Sequence, residues 1–93
     1  MPYIKKDQRA RYDTLVGELA AALSEQPVEQ LKGHANYVIT QILRKAWGVV
    51  DRANESYSNY ADIIGTLECA KLEMYRRWVA KYEDGAIERH GDL

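Results

Sequence analysis

The sequence has no phenylalanine, one cysteine and two prolines among its 93 residues. The one cysteine, Cys69, cannot form an internal disulfide, so we expect a reducing compartment, the cytoplasm. We find neither a run of about 18 apolar residues nor a secretory or transit pattern, which argues against a membrane protein. Basic and acidic residues nearly balance, at 13 against 14, whereas a dedicated nucleic-acid-binding domain carries a basic excess.

Tyrosine takes the place of the missing phenylalanine: there are seven tyrosines and two tryptophans. A buried tyrosine hydroxyl must find a hydrogen-bond partner, so a dry core favours phenylalanine instead. Tyrosine without phenylalanine therefore indicates half-buried rings whose hydroxyls lie at a wet edge. Such rings are enriched at protein interfaces.

Apolar residues recur at helical spacing in three segments, which predict helices over 7–24, 34–53 and 59–84. Pro27 interrupts the first helix, and Gly33 lets the chain start again. We expect an extended arm at 1–6 and a tail at 85–93. Short connections favour antiparallel neighbours, so the predicted fold is a single all-α domain, a small three-helix up-down-up bundle with a long C-terminal helix.

The long helix has predicted signals at both ends. Asn59 or Ser58 caps its start, with Asp62 close to capping-box spacing, and Gly85 closes its end. Its apolar residues fall on one face, which we call the stripe. Its members are Tyr60, Ile63, Ile64, Leu67, Met74, Tyr75, Trp78 and Tyr82.

The last turns of this helix extend beyond what a short neighbouring helix covers. Tyr75, Trp78, Val79 and Tyr82 lie there, and we predict that they form an interface. A second copy of the chain is the simplest partner, so we expect a homo-oligomer, with another protein as the alternative. Trp47, on the flank of the second helix, is placed with this interface.

No pattern for catalysis is found. His34, His90 and Cys69 are too far apart in sequence for a zinc site. No serine or cysteine lies in a glycine-rich elbow, and neither a phosphate loop nor a dinucleotide fingerprint occurs. We therefore expect no enzyme, metal or cofactor.

One charged residue, Lys71, lies in the middle of the stripe, where it must snorkel, pair with Glu68 or occupy a polar pocket. A small anionic ligand held between helices or subunits would explain it. Arg76 and Arg77 also suit phosphate or nucleic acid, although ordinary ion pairs with Glu73 are favoured. The candidate ligand residues are Lys71, Glu68, Tyr75, Asn36, Thr40, Arg76 and Arg77.

Segments spread over most of the chain carry a family resemblance: Met1-Pro2-Tyr3-Ile4, Asn36-Tyr37-Val38-Ile39-Thr40, Ile64-Gly65-Thr66-Leu67-Glu68-Cys69, Glu73-Met74-Tyr75-Arg76-Arg77, Tyr82-Glu83-Asp84 and Gly91-Asp92. They resemble an uncharacterised family of short proteins from bacteria and their phages. The resemblance implies a small accessory protein, encoded by a phage or another mobile element, and transfers no catalytic role.

The sequence as a whole favours a non-enzymatic helical interaction protein that self-associates. The first alternative is a binder that sequesters a small anionic ligand or nucleotide. The second is a weak nucleic-acid binder that uses Arg76, Arg77 and the basic residues near the N-terminus.

Overall fold

A computed structural model describes residues 4–93, and it confirms the predicted all-α class with three helices and a long last one. The chain divides into two compact units, the first reaching to Val50 and the second running from Asp51 to Leu93. The single-domain organisation stays a prediction. No helix among the described residues is long and apolar enough to cross a membrane.

The first unit is a pair of helices in contact, α1 at Lys6–Ser24 and α2 at Val28–Ala46. The predicted extended arm at 1–6 is one residue too long, because Lys6 is already helical. Residues 1–3 of that arm lie outside the residues that the structure describes. The side chain of Gln8 accepts a hydrogen bond from the backbone N–H of Lys5 (3.2 Å), which satisfies a free donor at the helix start.

The predicted start of the second helix at 34 is wrong, since α2 begins six residues earlier, directly after Pro27. Pro27 lies at the N-cap position, where its missing N–H removes no hydrogen bond of the helix. The carbonyl of Pro27 accepts hydrogen bonds from the backbone N–H groups of Gln30 (2.9 Å) and Leu31 (3.1 Å). Gly33 therefore lies within the helix and does not break it.

The predicted end of α2 at 53 is also wrong, because the helix stops at Ala46. Gly48 has φ 71°, a left-handed conformation that glycine adopts without steric cost. Its N–H bonds to the carbonyl of Lys45 (3.1 Å), and the N–H of Val49 bonds to that of Arg44 (2.9 Å). This pair of bonds is the Schellman motif, and Val49, at 3% exposure, is the apolar residue that follows the glycine.

The second unit opens with a short 3-10 turn at Arg52–Asn54, followed by α3 at Tyr57–Met74. Ser56 caps α3, and its hydroxyl accepts a hydrogen bond from the N–H of Asn59 (3.0 Å). The prediction of Asn59 or Ser58 as the cap is wrong, by two or three residues. The Asn59 side chain instead donates to the carbonyl of Asn54 (3.2 Å), which ties the preceding loop to the first helical turn.

The helical chain continues from α3 through a π-helical turn at Tyr75–Val79 into α4 at Ala80–His90. We call the continuous segment 57–90 the long helix; its 34 residues span about 51 Å. The prediction that the helix ends at Gly85 is wrong. The predicted tail at 85–93 is helical as far as His90. Gly91, with φ 86°, ends the helix, and its N–H bonds to the carbonyl of Ile87 (2.8 Å).

Candidate interaction surface of the long helix

The π turn changes which side chains share a face. The N–H of Ala80 bonds to the carbonyl of Tyr75, five residues back instead of four. The extra residue in this turn sets the following side chains back by about 100° around the axis. Val79 thereby moves onto the stripe, and Trp78, which the sequence predicted there, moves towards its flank.

The same displacement explains a hydrogen bond between residues eight apart. The hydroxyl of Tyr75 donates to the carboxylate of Glu83 (Oε2, 3.2 Å). On a regular helix these two side chains would lie about 80° apart, and the extra residue brings them onto one face. Sequence reasoning missed Glu83, because the π turn that aligns it leaves no signal in the spacing.

This contact raises the pKa of Tyr75 above its ordinary value of 10.0. The main cause is the hydrogen bond, which Tyr75 can donate only while its hydroxyl is protonated. The negative charge of Glu83 adds to the effect by opposing ionisation of the phenol.

The predicted interface residues on the long helix are exposed to solvent. Their exposed fractions are 49% for Tyr75, 53% for Trp78, 37% for Val79 and 70% for Tyr82. Between Tyr57 and His90, Ile63 is the one buried residue. The C-terminal half of the long helix therefore presents large apolar side chains that the rest of this unit leaves partly exposed.

Lys71 forms an ion pair with Glu68 one helical turn before it, with Nζ and Oε1 3.0 Å apart. Both side chains are more than half exposed, so the pair is of the solvated surface type, worth a few tenths of a kcal/mol. Of the three arrangements open to Lys71, the structure shows the pair with Glu68.

Arg76 and Arg77 both face Glu73. The Arg76 guanidinium lies 2.8 Å from the Glu73 carboxylate and that of Arg77 lies 3.6 Å from it. Arg77 also lies over the Trp78 ring, 4.7 Å from its centroid. The intrahelical ion pairs favoured by the sequence are present. Sequence reasoning did not predict that Glu73 would be the sheltered member, with 12% of its side chain exposed.

The remaining candidate ligand residues, Asn36 and Thr40, lie on α2 in the first unit. The Thr40 hydroxyl donates to the Asn36 side-chain oxygen (3.2 Å), and both residues are exposed. This is a local bond between residues one turn apart on the same helix. Trp47, the last of the predicted interface residues, is the partly buried C-cap of α2.

The structure thus groups the candidate ligand residues into local pairs along single helices: Lys71 with Glu68, Asn36 with Thr40, and the two arginines with Glu73. Among residues 4–93, no three His, Cys, Asp or Glu side chains are grouped closely enough to hold a metal ion. Cys69 is exposed. The anionic-ligand and nucleic-acid hypotheses stay predictions.

These features define a class: small all-α proteins in which an extended helix presents an apolar, tyrosine-rich surface. The chain belongs to a family described as Domain of unknown function (DUF6899), which matches residues 1–93. This match confirms the resemblance to an uncharacterised family. Neither the comparison with curated proteins nor that with solved structures gave a match.

Proposed function

We propose that this chain is a non-enzymatic interaction protein that self-associates through the long helix. The observation that carries the proposal is the exposure of Tyr75, Trp78, Val79 and Tyr82 on consecutive turns. An isolated helix gains little stability in water from its own hydrogen bonds, and proteins stabilise helices by covering an apolar face. A second copy of the chain supplies a surface of matching chemistry and length.

The available area supports a dimer of ordinary size. A large aromatic side chain can bury about 150–250 Å². At their observed exposures, Tyr75, Trp78 and Tyr82 together offer about 350 Å². That is nearly half of the roughly 800 Å² that each partner buries in a standard interface.

The rings also suit an interface better than a closed core. A tyrosine in a contact between subunits buries its ring and keeps its hydroxyl at the rim. Tyr75 fits this description, because its hydroxyl already has a partner in Glu83 and its ring remains half exposed. The proposed setting is the cytoplasm, and the family resemblance suggests an accessory protein of a phage or other mobile element.

The test measures molar mass by light scattering after gel filtration, over a wide range of loading concentrations. We expect the wild-type mass to rise above the monomer value of 10.7 kDa with concentration. Tyr82→Glu places a charge on the apolar surface. We expect it to weaken association at least about tenfold, a loss that is common when a tyrosine at the centre of an interface is replaced.

Tyr37→Glu is the matched control. Tyr37 is also an exposed helical tyrosine, at 66% against 70% for Tyr82, but it lies on α2. We expect this variant to associate like the wild type. A wild type that stays monomeric at the highest concentration contradicts the proposal, and equal effects of the two substitutions contradict the assignment to the long helix.

A further inference from the structure

Self-association through the stripe places constraints on Lys71, and the inference drawn from them rests on the self-association proposed above. Lys71 and Glu68 lie on the stripe or at its edge, so a second copy packed there takes both charges out of water. Partial burial of an ion pair is costly unless additional opposite charges or hydrogen bonds, here from the second copy, compensate both charges. The direction in which the second copy runs decides whether that happens.

A parallel second copy fails this requirement. In a parallel pair of identical helices, each residue lies at the same height as its own counterpart. Lys71, which lies near the middle of the stripe, would then face Lys71 of the other copy. Like charges would meet at the centre of an apolar surface.

An antiparallel copy meets the requirement in one register. A twofold axis crossing the helix midway between Cys69 and Ala70 places Lys71 of each copy at the height of Glu68 of the other. Both residues lie on the same side of the stripe, and an antiparallel twofold brings the same sides together. Two reciprocal ion pairs result.

The same register pairs the neighbouring apolar residues. Ile64 and Tyr75 lie at equal distances from this axis, on the same side of the stripe as Lys71. Tyr60 and Val79 also lie at equal distances from it. Val79 faces the partner because of the π turn, which puts it where residue 78 of a regular helix would lie, five turns of 3.6 residues after Tyr60.

We propose that two copies pack antiparallel along the stripe, with Lys71 and Glu68 setting direction and register. Two of the rings then meet aliphatic side chains: Tyr75 packs on Ile64 and Tyr60 on Val79. All four are partly exposed in the single chain and therefore free to make these contacts.

The experiment uses a doubly exchanged variant, Glu68→Lys combined with Lys71→Glu, which keeps an opposite-charge pair within the helix. In the antiparallel register this variant pairs with itself as the wild type does. Mixed with the wild type, however, it sets lysine against lysine at one contact and glutamate against glutamate at the other. A mass-tagged wild type is equilibrated with the variant in equal amounts, and the mixed dimer is counted by native mass spectrometry.

Random exchange would make half of the dimers mixed, and we expect a fraction well below half because both mixed contacts are repulsive. A fraction above half indicates parallel helices, where the same mixture is attractive, and overturns the proposal. A fraction of half shows that these charges do not meet, and also overturns it. A wild type that never dimerises would contradict the proposed self-association itself. The light-scattering test detects that outcome before the mixing experiment.

Discussion

Two glycine-to-alanine substitutions at opposite ends of the α2 segment should have effects of opposite sign. Gly33 lies inside α2, whereas Gly48 follows its end with φ 71°. A methyl group added at either position meets no atom within 4 Å. Steric contact with neighbours therefore plays no part, and backbone conformation alone decides the outcome.

The magnitudes follow from the two conformations. An alanine in the left-handed region costs about 1–2 kcal/mol relative to the right-handed one. Restriction of the unfolded chain offsets about 0.4–1 kcal/mol of this, so Gly48→Ala should lower the free energy of unfolding by about 1 kcal/mol. Gly33→Ala should raise it by about 0.8–1 kcal/mol, because alanine favours the helix interior.

The assay is thermal unfolding followed by far-ultraviolet circular dichroism, at one protein concentration because association shifts apparent stability. For a domain of this size, 1 kcal/mol moves Tm by about 4–8 °C. The two variants should therefore differ by about 8–16 °C, with the wild type between them. Gly48→Asn should lose less than Gly48→Ala, because asparagine tolerates the left-handed region better.

The result that refutes this reasoning is a Gly48→Ala variant as stable as the wild type or more stable. The backbone at 48 would then be helical, and α2 would extend beyond Ala46 as the sequence pattern predicted. A loss in both variants would show instead that the face of α2 at Gly33 is packed against something that excludes a methyl group.

Two further predictions concern the long helix. Ser56→Ala should lower the free energy of unfolding by about 1 kcal/mol, because the helix loses its cap, whereas Ser58→Ala should be nearly neutral. Denaturant unfolding measures both variants, and equal losses of stability would contradict Ser56 as the cap. Glu83→Gln should bring the pKa of Tyr75 down towards 10.0, because the phenol loses its charged acceptor. The titration is followed by phenolate absorbance, with Tyr75→Phe as the reference that isolates the Tyr75 signal. An unchanged pKa would contradict the contact between Tyr75 and Glu83. Because the folded-state pKa is raised, this hydrogen bond stabilises the fold below the unfolded pKa and is lost as pH rises through the folded value.

Helix boundaries show where pattern reasoning succeeded. The spacing of apolar residues located all three helices and placed the end of α1 at Ser24. Errors arose where glycine and proline were taken as breaks. Gly33 and Gly85 lie inside helices, because an isolated glycine costs a helix only about 1 kcal/mol, which its neighbours readily offset.

A better signal for the end of α2 was present in the sequence. Arg44 and Lys45 stand in the last turn, where cations suit the helix dipole, and Gly48 follows with apolar Val49 directly after it. Basic residues, then glycine, then an apolar residue is the pattern of a Schellman end. The continuous apolar run through Val49 and Val50 obscured it.

Contacts among the candidate residues could be predicted from the sequence only where they are local. Local rules were enough for Glu73 with Arg76 and Arg77, because residues three and four apart always adjoin on a helix. The contact of Tyr75 with Glu83 was out of reach, since a separation of eight brings no two side chains together on a regular helix.

The sequence by itself determined that the chain folds into three helices and which residues carry apolar and charged character, because these depend on local spacing and propensity. The folded structure decided that the long helix continues to His90 and which face Trp78 and Val79 occupy. For Trp78 and Val79 the physical reason is the π turn, because the spacing of side chains in the sequence does not distinguish five-residue from four-residue hydrogen bonding. Only the folded chain shows which one is used, and that choice rotates every side chain after it.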